Sequence, residues 1–242
     1  MTPSETVNRE DLAALHALSK ELGEVEQWNT YAVSNGPDTS LNLQFNRTCR
    51  GIGHFASRKV ALRMPYISSL ERDLLYLLEV DPKIRAYLTQ PMALRYREGE
   101  LIRTHLPDVL SLANDQETLI EVKYADEAAL PEMRRRTQIL EAGLGRHGVA
   151  YRVLTEKIIR VEPRLTNARI LCRYRWLTPD QRVLEPLQEY LEHKGSLTIR
   201  DAAAKFEQAA EAANSILAAV LRGQLAVQRW ASPMEDSILS VA

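Results

Sequence analysis

The length, composition and charge of this chain of 242 residues exclude several classes of protein. Hydrophobic residues make up 45% of the chain, enough for a packed core, and the net charge of −1 does not by itself indicate a nucleic-acid-binding protein. No apolar run approaches the roughly 18 residues that span a membrane, and the first residues lack the basic and apolar regions of a signal peptide. The cysteines, Cys49 and Cys172, indicate neither a disulfide framework nor a zinc ribbon. We therefore expect a cytoplasmic protein with one large and one small domain.

Charge is unevenly distributed near the start of the chain. Residues 1–30 hold two basic and six acidic residues, and their leucines recur at helical spacing, at Leu12, Leu15, Leu18 and Leu22. This pattern predicts an amphipathic helix that packs on the core or on a partner. Residues 46–63 contain only basic charges, at Arg47, Arg50, Arg58, Lys59 and Arg63.

A helix is predicted to begin at Ser68, because Ser68 and Glu71 have the spacing of a capping box. Glu71 also shares a helical face with Leu74, Leu75 and Leu78, so its side chain should point inward from the first turn. The two roles are compatible, and we expect Glu71 both to cap the helix and to lie near a functional site.

Two short segments further along the chain combine carboxylates with a lysine. Leu106-Pro107-Asp108-Val109 is followed by Ile120-Glu121-Val122-Lys123, and twelve residues separate Asp108 from Glu121. This is the PD…(D/E)xK pattern, with room for a strand end, a turn and a second strand. Carboxylates can hold a hard cation such as Mg²⁺, which lowers the pKa of a bound water, and a lysine adds positive charge beside a phosphate. The pattern therefore indicates metal-assisted cleavage of a phosphodiester.

Strand periodicity supports this interpretation and leaves one alternative open. Glu121 and Lys123 share a face of the predicted second strand and should project side by side. Asp108 interrupts an otherwise largely apolar face in the predicted first strand, where an unpaired charge would be costly. The alternative is structural, with an ion pair between Glu121 and Lys123 and with Asp108 in a turn after Pro107. His105, close to Asp108, is expected to be a solvated strand residue, and the alternative is a contact with DNA or substrate.

The coarse order of elements predicts a mixed α/β domain. Strands are expected near 86–96, 101–112, 117–125 and 149–155, with helices near 130–146 and 164–175. Together with the helix at Ser68, this order fits a mixed sheet with helices on both faces. A domain boundary is expected at Thr178-Pro179-Asp180, which gives domains at 1–176 and 177–242.

The C-terminal segment predicts helices and a hairpin. The first helix should run from Asp180 to Gly195, the second should open at Ser196-Leu197-Thr198, and the third should span Ala209 to Arg222. Leu225, Val227 and Ile238-Leu239 then read as a two-stranded wing. The third helix is rich in alanine and carries Arg222 as its one basic residue, so it is poorly suited to binding in a DNA groove. We expect this winged-helix pattern to serve mainly in protein docking.

Basic residues are concentrated around the acidic motif. Residues 131–176 contain eleven basic residues against four acidic ones. Local excess of this kind suits phosphate binding, because each neutralised phosphate releases condensed counterion. The candidate DNA contacts are Arg58, Lys59, Arg134, Arg135 and Arg173. For the run Arg134-Arg135-Arg136 taken alone, a solvated helix face is the simpler interpretation.

The order and spacing of these segments resemble those of the TnsA endonucleases, the nuclease subunits of heteromeric cut-and-paste transposases. The resemblance is carried by residues 69–82, Gln90-Pro91, Pro107-Asp108 and Ile120-Glu121-Val122-Lys123, and it continues through 151–156 and 167–176. It covers about residues 58–176. Before Ser57 the likeness is weaker.

The resemblance implies a restriction-endonuclease-like fold, a mixed sheet flanked by helices, with a small C-terminal winged-helix-like domain. It implies an Mg²⁺-dependent nuclease, with Mn²⁺ as a substitute, that nicks the 5′ ends of the transposon. Glu71, Asp108 and Glu121 correspond to the acidic metal set of the family, and Lys123 corresponds to its catalytic lysine.

The resemblance also implies partners: transposon-end DNA, a DDE-type transposase that cuts and joins the 3′ ends, and an AAA+ ATPase regulator contacted by the C-terminal region. The setting would be a prokaryotic cytoplasm, at the nucleoid when the complex is assembled. Two alternatives stay open: a stand-alone nuclease in defence or repair, and a catalytically silent DNA-docked adaptor of transposition proteins. Cleavage that depends on a transposase partner would distinguish the transposase subunit from a stand-alone nuclease. Absence of metal-dependent nicking would identify the silent adaptor.

Overall fold

The computed structural model describes residues 51–114 and 116–242, together with positions 13, 14 and 17. The described part is a mixed α/β protein, as predicted, and it divides into two compact units. The first unit comprises the described residues up to Leu78 and Lys83–Ile159, and the second comprises Glu79–Pro82 and Arg160–Ala242. The leucines of the predicted N-terminal helix, at positions 12, 15, 18 and 22, lie outside the described residues, as do Arg47, Cys49 and Arg50.

The first unit is built around a four-stranded sheet of order β3-β6-β7-β8. Its strands are β3 (Ile84–Thr89), β6 (Val109–Ala113), β7 (Gln116–Val122) and β8 (Ala150–Leu154). The first three strands pair antiparallel, whereas β8 lies parallel to β7. A parallel neighbour needs a crossover connection, which is supplied by two helices, α2 (Ala125–Ala128) and α3 (Pro131–Gly145).

Two predicted strands were wrong in extent, because each is interrupted. The segment 86–96 contains the end of β3 and most of a separate strand, β4 (Leu94–Glu98). The segment 101–112 contains β5 (Leu101–His105) and then β6, and β5 pairs with β4 in a sheet of its own. Proline breaks the run in both places, at Pro91 and at Pro107, because it lacks the N–H that a strand ladder needs.

Further elements cover the main sheet of the first unit. The hairpin of β1 (Gly53–Ala56) and β2 (Arg63–Tyr66) precedes α1 (Ser69–Val80), and Phe55 packs edge-to-face on Tyr76 of that helix at 5.2 Å between ring centroids. Helix α3 packs on β8 and β4, and α4 (Glu156–Ile159) follows β8. Buried side chains fill the space between these layers: Leu70, Leu75, Tyr87, Leu94, Leu110, Leu119, Leu140 and Leu144.

The second unit has its own apolar core. Its helices are α5 (Arg164–Leu171), continued by a 3₁₀ turn at Cys172–Tyr174, then α6 (Gln181–Lys194), α7 (Ile199–Ala203) and α8 (Ala209–Leu221). A small antiparallel sheet of order β10-β11-β9 joins β9 (Leu197–Thr198), β10 (Leu225–Arg229) and β11 (Ile238–Val241). The core is formed by residues from all these elements, including Leu171, Leu184, Leu187, Ile199, Ile216, Leu225 and Leu239.

The helix starts and the hairpin of this unit lie close to their predicted positions. The Asp180 carboxylate caps α6 by accepting from the Arg182 N–H at 2.9 Å, and the Thr198 hydroxyl caps α7 by accepting from the Asp201 N–H at 3.0 Å. The compact units divide after Ile159, whereas the sequence-based boundary falls after Trp176. The reason is that α5, with Leu171, packs into the core of the C-terminal helices.

Candidate functional site

Asp108 and Glu121 lie at the same end of neighbouring strands. Val109 of β6 is paired with Ile120 of β7, so Asp108 stands opposite Glu121 as the chain enters β6. The Asp108 Oδ2 accepts a hydrogen bond from the Val122 N–H at 2.6 Å, which holds its carboxylate against the end of β7. The structure therefore brings together two carboxylates that twelve residues separate in the sequence.

Lys123 adds an ammonium group to this pair. Its Nζ lies 3.0 Å from the Glu121 Oε1, so the predicted side-by-side arrangement is present. The predicted strand over 117–125 was too long, because β7 ends at Val122 and Ala125 opens α2. Lys123 lies just beyond the end of β7, and its backbone N–H donates to the Leu154 carbonyl at 3.1 Å.

Glu71 closes the group from the first turn of α1. The Ser68 hydroxyl accepts from the Glu71 N–H at 3.0 Å, and the Glu71 Oε2 accepts from the Ile67 N–H at 3.0 Å, which confirms the predicted capping role. The side chain of Glu71 is nonetheless almost fully buried, at 9% exposure. The negative charge of Glu71 contributes to the raised pKa of Asp108, and the charges of Lys123 and Glu121 act on the pKa of Glu71. Glu71 therefore belongs to the same site.

Mutual repulsion and burial perturb the acidity of these groups. Burial first, and then the negative charges of Glu121 and Glu71, raise the pKa of Asp108 to about 8. Burial also raises the pKa of Glu71, despite its hydrogen bonds from Ile67 and Ser68. The pKa of Glu121 is lowered instead: burial opposes this, but His105 and Lys123 outweigh it. Burial would lower the pKa of Lys123, but the charges of Glu121 and Asp108 outweigh burial and raise it overall.

Three residues around Glu121 were missed as site residues. Arg136 of α3 places Nη2 3.1 Å from the Glu121 Oε1, and His105 places Nε2 3.2 Å from the Glu121 Oε2. The same His105 nitrogen lies 3.0 Å from the Tyr151 hydroxyl. The expectation of a solvated His105 is wrong, because the side chain is only 5% exposed and stands against a buried carboxylate.

Periodicity contains a signal for two of these residues. Arg136 lies three residues after Met133 and four before Leu140, both buried, so it belongs to the face of α3 that packs on the sheet. Tyr151 alternates with polar Arg152 in β8 and points to the buried face. His105 had no such signal, since it ends a hairpin strand whose other residues are exposed.

The carboxylates are the kind of ligand that a hard divalent cation prefers, but their present positions do not form a metal-binding site. The three carboxylates supply oxygen donors, which is the donor type that Mg²⁺ prefers. Within 51–114 and 116–242, no group of three His, Cys, Asp or Glu side chains lies in ligating geometry. Asp108 is bonded to the β7 backbone and Glu121 to Lys123 and Arg136. An ion would therefore have to replace contacts that the side chains now make within the protein.

The candidate DNA contacts lie in different places. Arg58 and Lys59 follow β1, and the Lys59 ammonium donates to the Ile84 carbonyl. Arg134 and Arg135 are exposed on α3, where Arg135 lies 3.6 Å from Glu98. Arg173 is exposed on the 3₁₀ turn of the second unit.

Comparison with known proteins adds little to this description. No protein-family model and no curated protein matches the chain. A crystal structure of protein VC1899 from Vibrio cholerae is similar over 35% of this chain and 28% of that chain, at 14% identity and a TM-score of 0.21. This chain thus spans under a third of that protein's length, and a likeness of this extent assigns neither fold nor function. In the described residues, no helix is long and apolar enough to cross a membrane.

The capping geometry of Glu71 leads to a first prediction. Glu71→Gln should change the free energy of unfolding by at most about 1 kcal/mol, because the amide oxygen still accepts from the Ile67 N–H. Glu71→Ala, which removes the acceptor, should destabilise the protein more. Urea denaturation of both variants measures the difference. Equal losses of stability in the two would show that the hydrogen bond to Ile67 is not the stabilising element.

The raised pKa of Asp108 leads to a second prediction, for metal-free protein. Between the ordinary value of 3.8 and about 8, the folded protein retains a proton that the unfolded chain has released, so stability should fall as pH rises through this window. Glu71 acts in the same direction, whereas Glu121, with its lowered pKa, is ionised in both states over most of the window.

Thermal melts in EDTA at several pH values test this dependence. Asp108→Asn should flatten the fall in Tm, since asparagine still accepts from the Val122 N–H but carries no charge. Asp126→Asn, at an exposed carboxylate nearby on α2, serves as the matched control and should leave the slope unchanged. Identical slopes for wild-type protein and Asp108→Asn would contradict the assignment.

Proposed function

We propose that this chain is an Mg²⁺-dependent DNA endonuclease subunit of a multi-component transposase, of the TnsA type, that nicks the 5′ ends of the transposon. The observation that carries the proposal is the meeting of Asp108, Glu121 and Lys123 at the end of adjacent strands, with Glu71 entering from the first turn of a helix. Ordinary ion pairing accounts for Glu121 and Lys123. It does not account for Asp108, whose pKa is raised by burial and by the charges of Glu121 and Glu71, or for Glu71, whose pKa is raised by burial.

Each residue has a role in this reaction. Glu71, Asp108 and Glu121 are the residues that would hold the cation, and the raised pKa of Asp108 reflects negative charge that a divalent ion would balance. Mg²⁺, or Mn²⁺ in its place, supplies charge stabilisation and an acidified water when bound. Lys123 keeps its proton at neutral pH, because the neighbouring carboxylates raise its pKa, so it acts as a positive charge that orients the attacking water or stabilises the phosphate.

The fold is consistent with this proposal. In the first unit, a mixed sheet with crossover helices is compatible with the restriction-endonuclease-like domain that we propose. In the second unit, several helices and a small antiparallel sheet are compatible with the proposed winged-helix-like domain.

The second unit is assigned to protein docking on the AAA+ ATPase regulator. The buried residues of α8 are Ala212 and positions 215–219, and the Arg222 guanidinium donates to the Leu177 carbonyl. A helix committed to the core in this way offers little to a DNA groove. The other partners are transposon-end DNA and a DDE-type transposase that cuts the 3′ ends, at the nucleoid of a prokaryotic cell.

A third prediction concerns Asp108 and the metal. Asp108→Ala should abolish 5′-strand cutting and weaken Mn²⁺ binding, because the site loses charge and an oxygen ligand. The purified variant is assayed for nicking in the presence of the partner transposase and for Mn²⁺ affinity by calorimetry. Unchanged cutting would remove Asp108 from the mechanism. Absence of metal-dependent nicking by wild-type protein, with all partners present, would favour the silent adaptor, and nicking without any partner would favour a stand-alone nuclease.

A fourth prediction concerns Lys123. Lys123→Ala should lower 5′-strand cutting by roughly two or more orders of magnitude while Mn²⁺ binding is retained. The partner's 3′-strand cut should survive, because it belongs to another active site, so products should shift from full excision to molecules joined through one strand. Denaturing gels that resolve both strands at each transposon end measure this shift. Lys157→Ala, at an exposed lysine of α4, is the matched control. Full excision by the Lys123→Ala complex would exclude the assignment.

A further inference from the structure

Arg136 differs from the two arginines before it in the sequence. Arg134 and Arg135 are exposed on α3, whereas the Arg136 side chain is 24% exposed and turns towards the sheet. Its Nη2 lies 2.8 Å from the Met133 Sδ and 3.1 Å from the Glu121 Oε1. A charged side chain on the apolar face of a helix carries a desolvation cost, and its position against Glu121 compensates that cost.

The oxygen that Arg136 contacts is already shared. The Lys123 Nζ lies 3.0 Å from the same Oε1, so two cationic groups converge on one carboxylate oxygen. The other oxygen, Oε2, is buried and lies 3.2 Å from the His105 Nε2. A metal ion can therefore use the Oε1 of Glu121 only if a cationic side chain moves away.

The guanidinium of Arg136 has hydrogen-bonding capacity that its contacts with the described residues do not use. Its Nε is buried and meets no hydrogen-bond acceptor in the part of the chain that the structure describes, although a guanidinium carries five N–H donors in a fixed fork. A buried donor without an acceptor is unfavourable, so the present position leaves free energy to be gained elsewhere. A phosphate offers several oxygens in the geometry that this fork matches.

We propose that Arg136 is an exchangeable cation of the active site: it binds the Glu121 Oε1 in the metal-free protein, and it binds the scissile phosphate once a divalent ion has taken that oxygen. The inference rests on the proposed nuclease function and adds a residue and a sequence of contacts to it. Arg136 then has two opposite effects, because it competes with metal for Glu121 and it holds the substrate that the metal-loaded site cuts.

The test compares Arg136→Met with Arg135→Met in the full-length chain. Met keeps the length and helix propensity of the side chain and removes its charge. Mn²⁺ titrated by calorimetry, without DNA, should bind Arg136→Met about fivefold more tightly or better than wild type, because a partly buried competing charge has been removed. Arg135→Met should bind Mn²⁺ as wild type does, since Arg135 is 65% exposed and lies near Glu98 instead.

The same variants are then assayed for 5′-strand cutting with the partner transposase at saturating Mn²⁺. Arg136→Met should cut at least tenfold more slowly even though it binds metal more tightly, and Arg136→Lys should recover part of the rate with a metal affinity near wild type. A purely structural role for Arg136 would weaken both metal binding and cutting. If Arg136→Met does not fold, as judged by circular dichroism, Arg136→Gln replaces it, because glutamine keeps polar contacts without charge.

The outcomes separate this inference from the proposed function. Unchanged or weaker Mn²⁺ binding by the charge-removing variant, with wild type binding and Asp108→Ala impaired, would overturn the exchange and leave the nuclease assignment in place. Unimpaired cutting by that variant would remove Arg136 from the phosphate. Failure of wild type to bind Mn²⁺, or equal binding by Asp108→Ala, would overturn the proposed function and the exchange together.

Discussion

The buried carboxylate of Glu121 is the group around which the first unit is organised. At 3% side-chain exposure, its charge has lost most of its hydration, and such a charge is tolerated only when it is paired and hydrogen-bonded. Compensation comes from three directions: Lys123 beyond the end of its own strand, Arg136 from α3, and His105 from the end of β5. Elements distant in sequence are therefore held together partly by one ionised side chain. Apolar packing of α3 on β8 and β4 then fixes where Arg136 can stand.

Compensation does not extend to Asp108 and Glu71. Each carboxylate accepts a hydrogen bond from a backbone N–H, of Val122 and Ile67 respectively, but among the described residues neither one has a salt bridge to a cationic side chain. This asymmetry explains why the pKa of Glu121 is lowered while those of Asp108 and Glu71 are raised. In the metal-free protein Asp108 therefore keeps its proton over much of the neutral range, and added positive charge beside it would favour its ionised form.

The sequence predicted which residues form this cluster better than it predicted the strands that hold them. Spacing placed Glu71 in a capping box, and the structure shows the two hydrogen bonds; alternation placed Lys123 beside Glu121, and the ion pair is present. The extent of the strands was not predictable from alternation, because Pro107 ends the ladder and β5 turns away to pair with β4. Alternation describes which residues share a face of one strand, and it carries no information on which strands join one sheet.

The surroundings of Glu121 illustrate the same limit. Arg134, Arg135 and Arg136 are equivalent as a basic run, and only the phase of α3, read from Met133, Leu140 and Leu144, separates the inward residue from its exposed neighbours. His105 and Tyr151 meet across 46 positions of sequence, through two sheets that no local pattern connects. The residues of a motif can thus be recognised from the local sequence. The groups that change the pKa values of those residues are brought to them by tertiary packing.

The contacts that Asp108 and Glu121 make at present also limit how the site can work. A rigid cage of ligands would need its carboxylates held apart from competing donors. Here the oxygens are held by the Val122 N–H, Lys123 and Arg136, so the carboxylates are kept in place by bonds that a divalent ion would have to exchange. Under the proposed exchange, metal entry would require Arg136 to leave Glu121, and α3 as well as the strands would then contribute to the proposed active site.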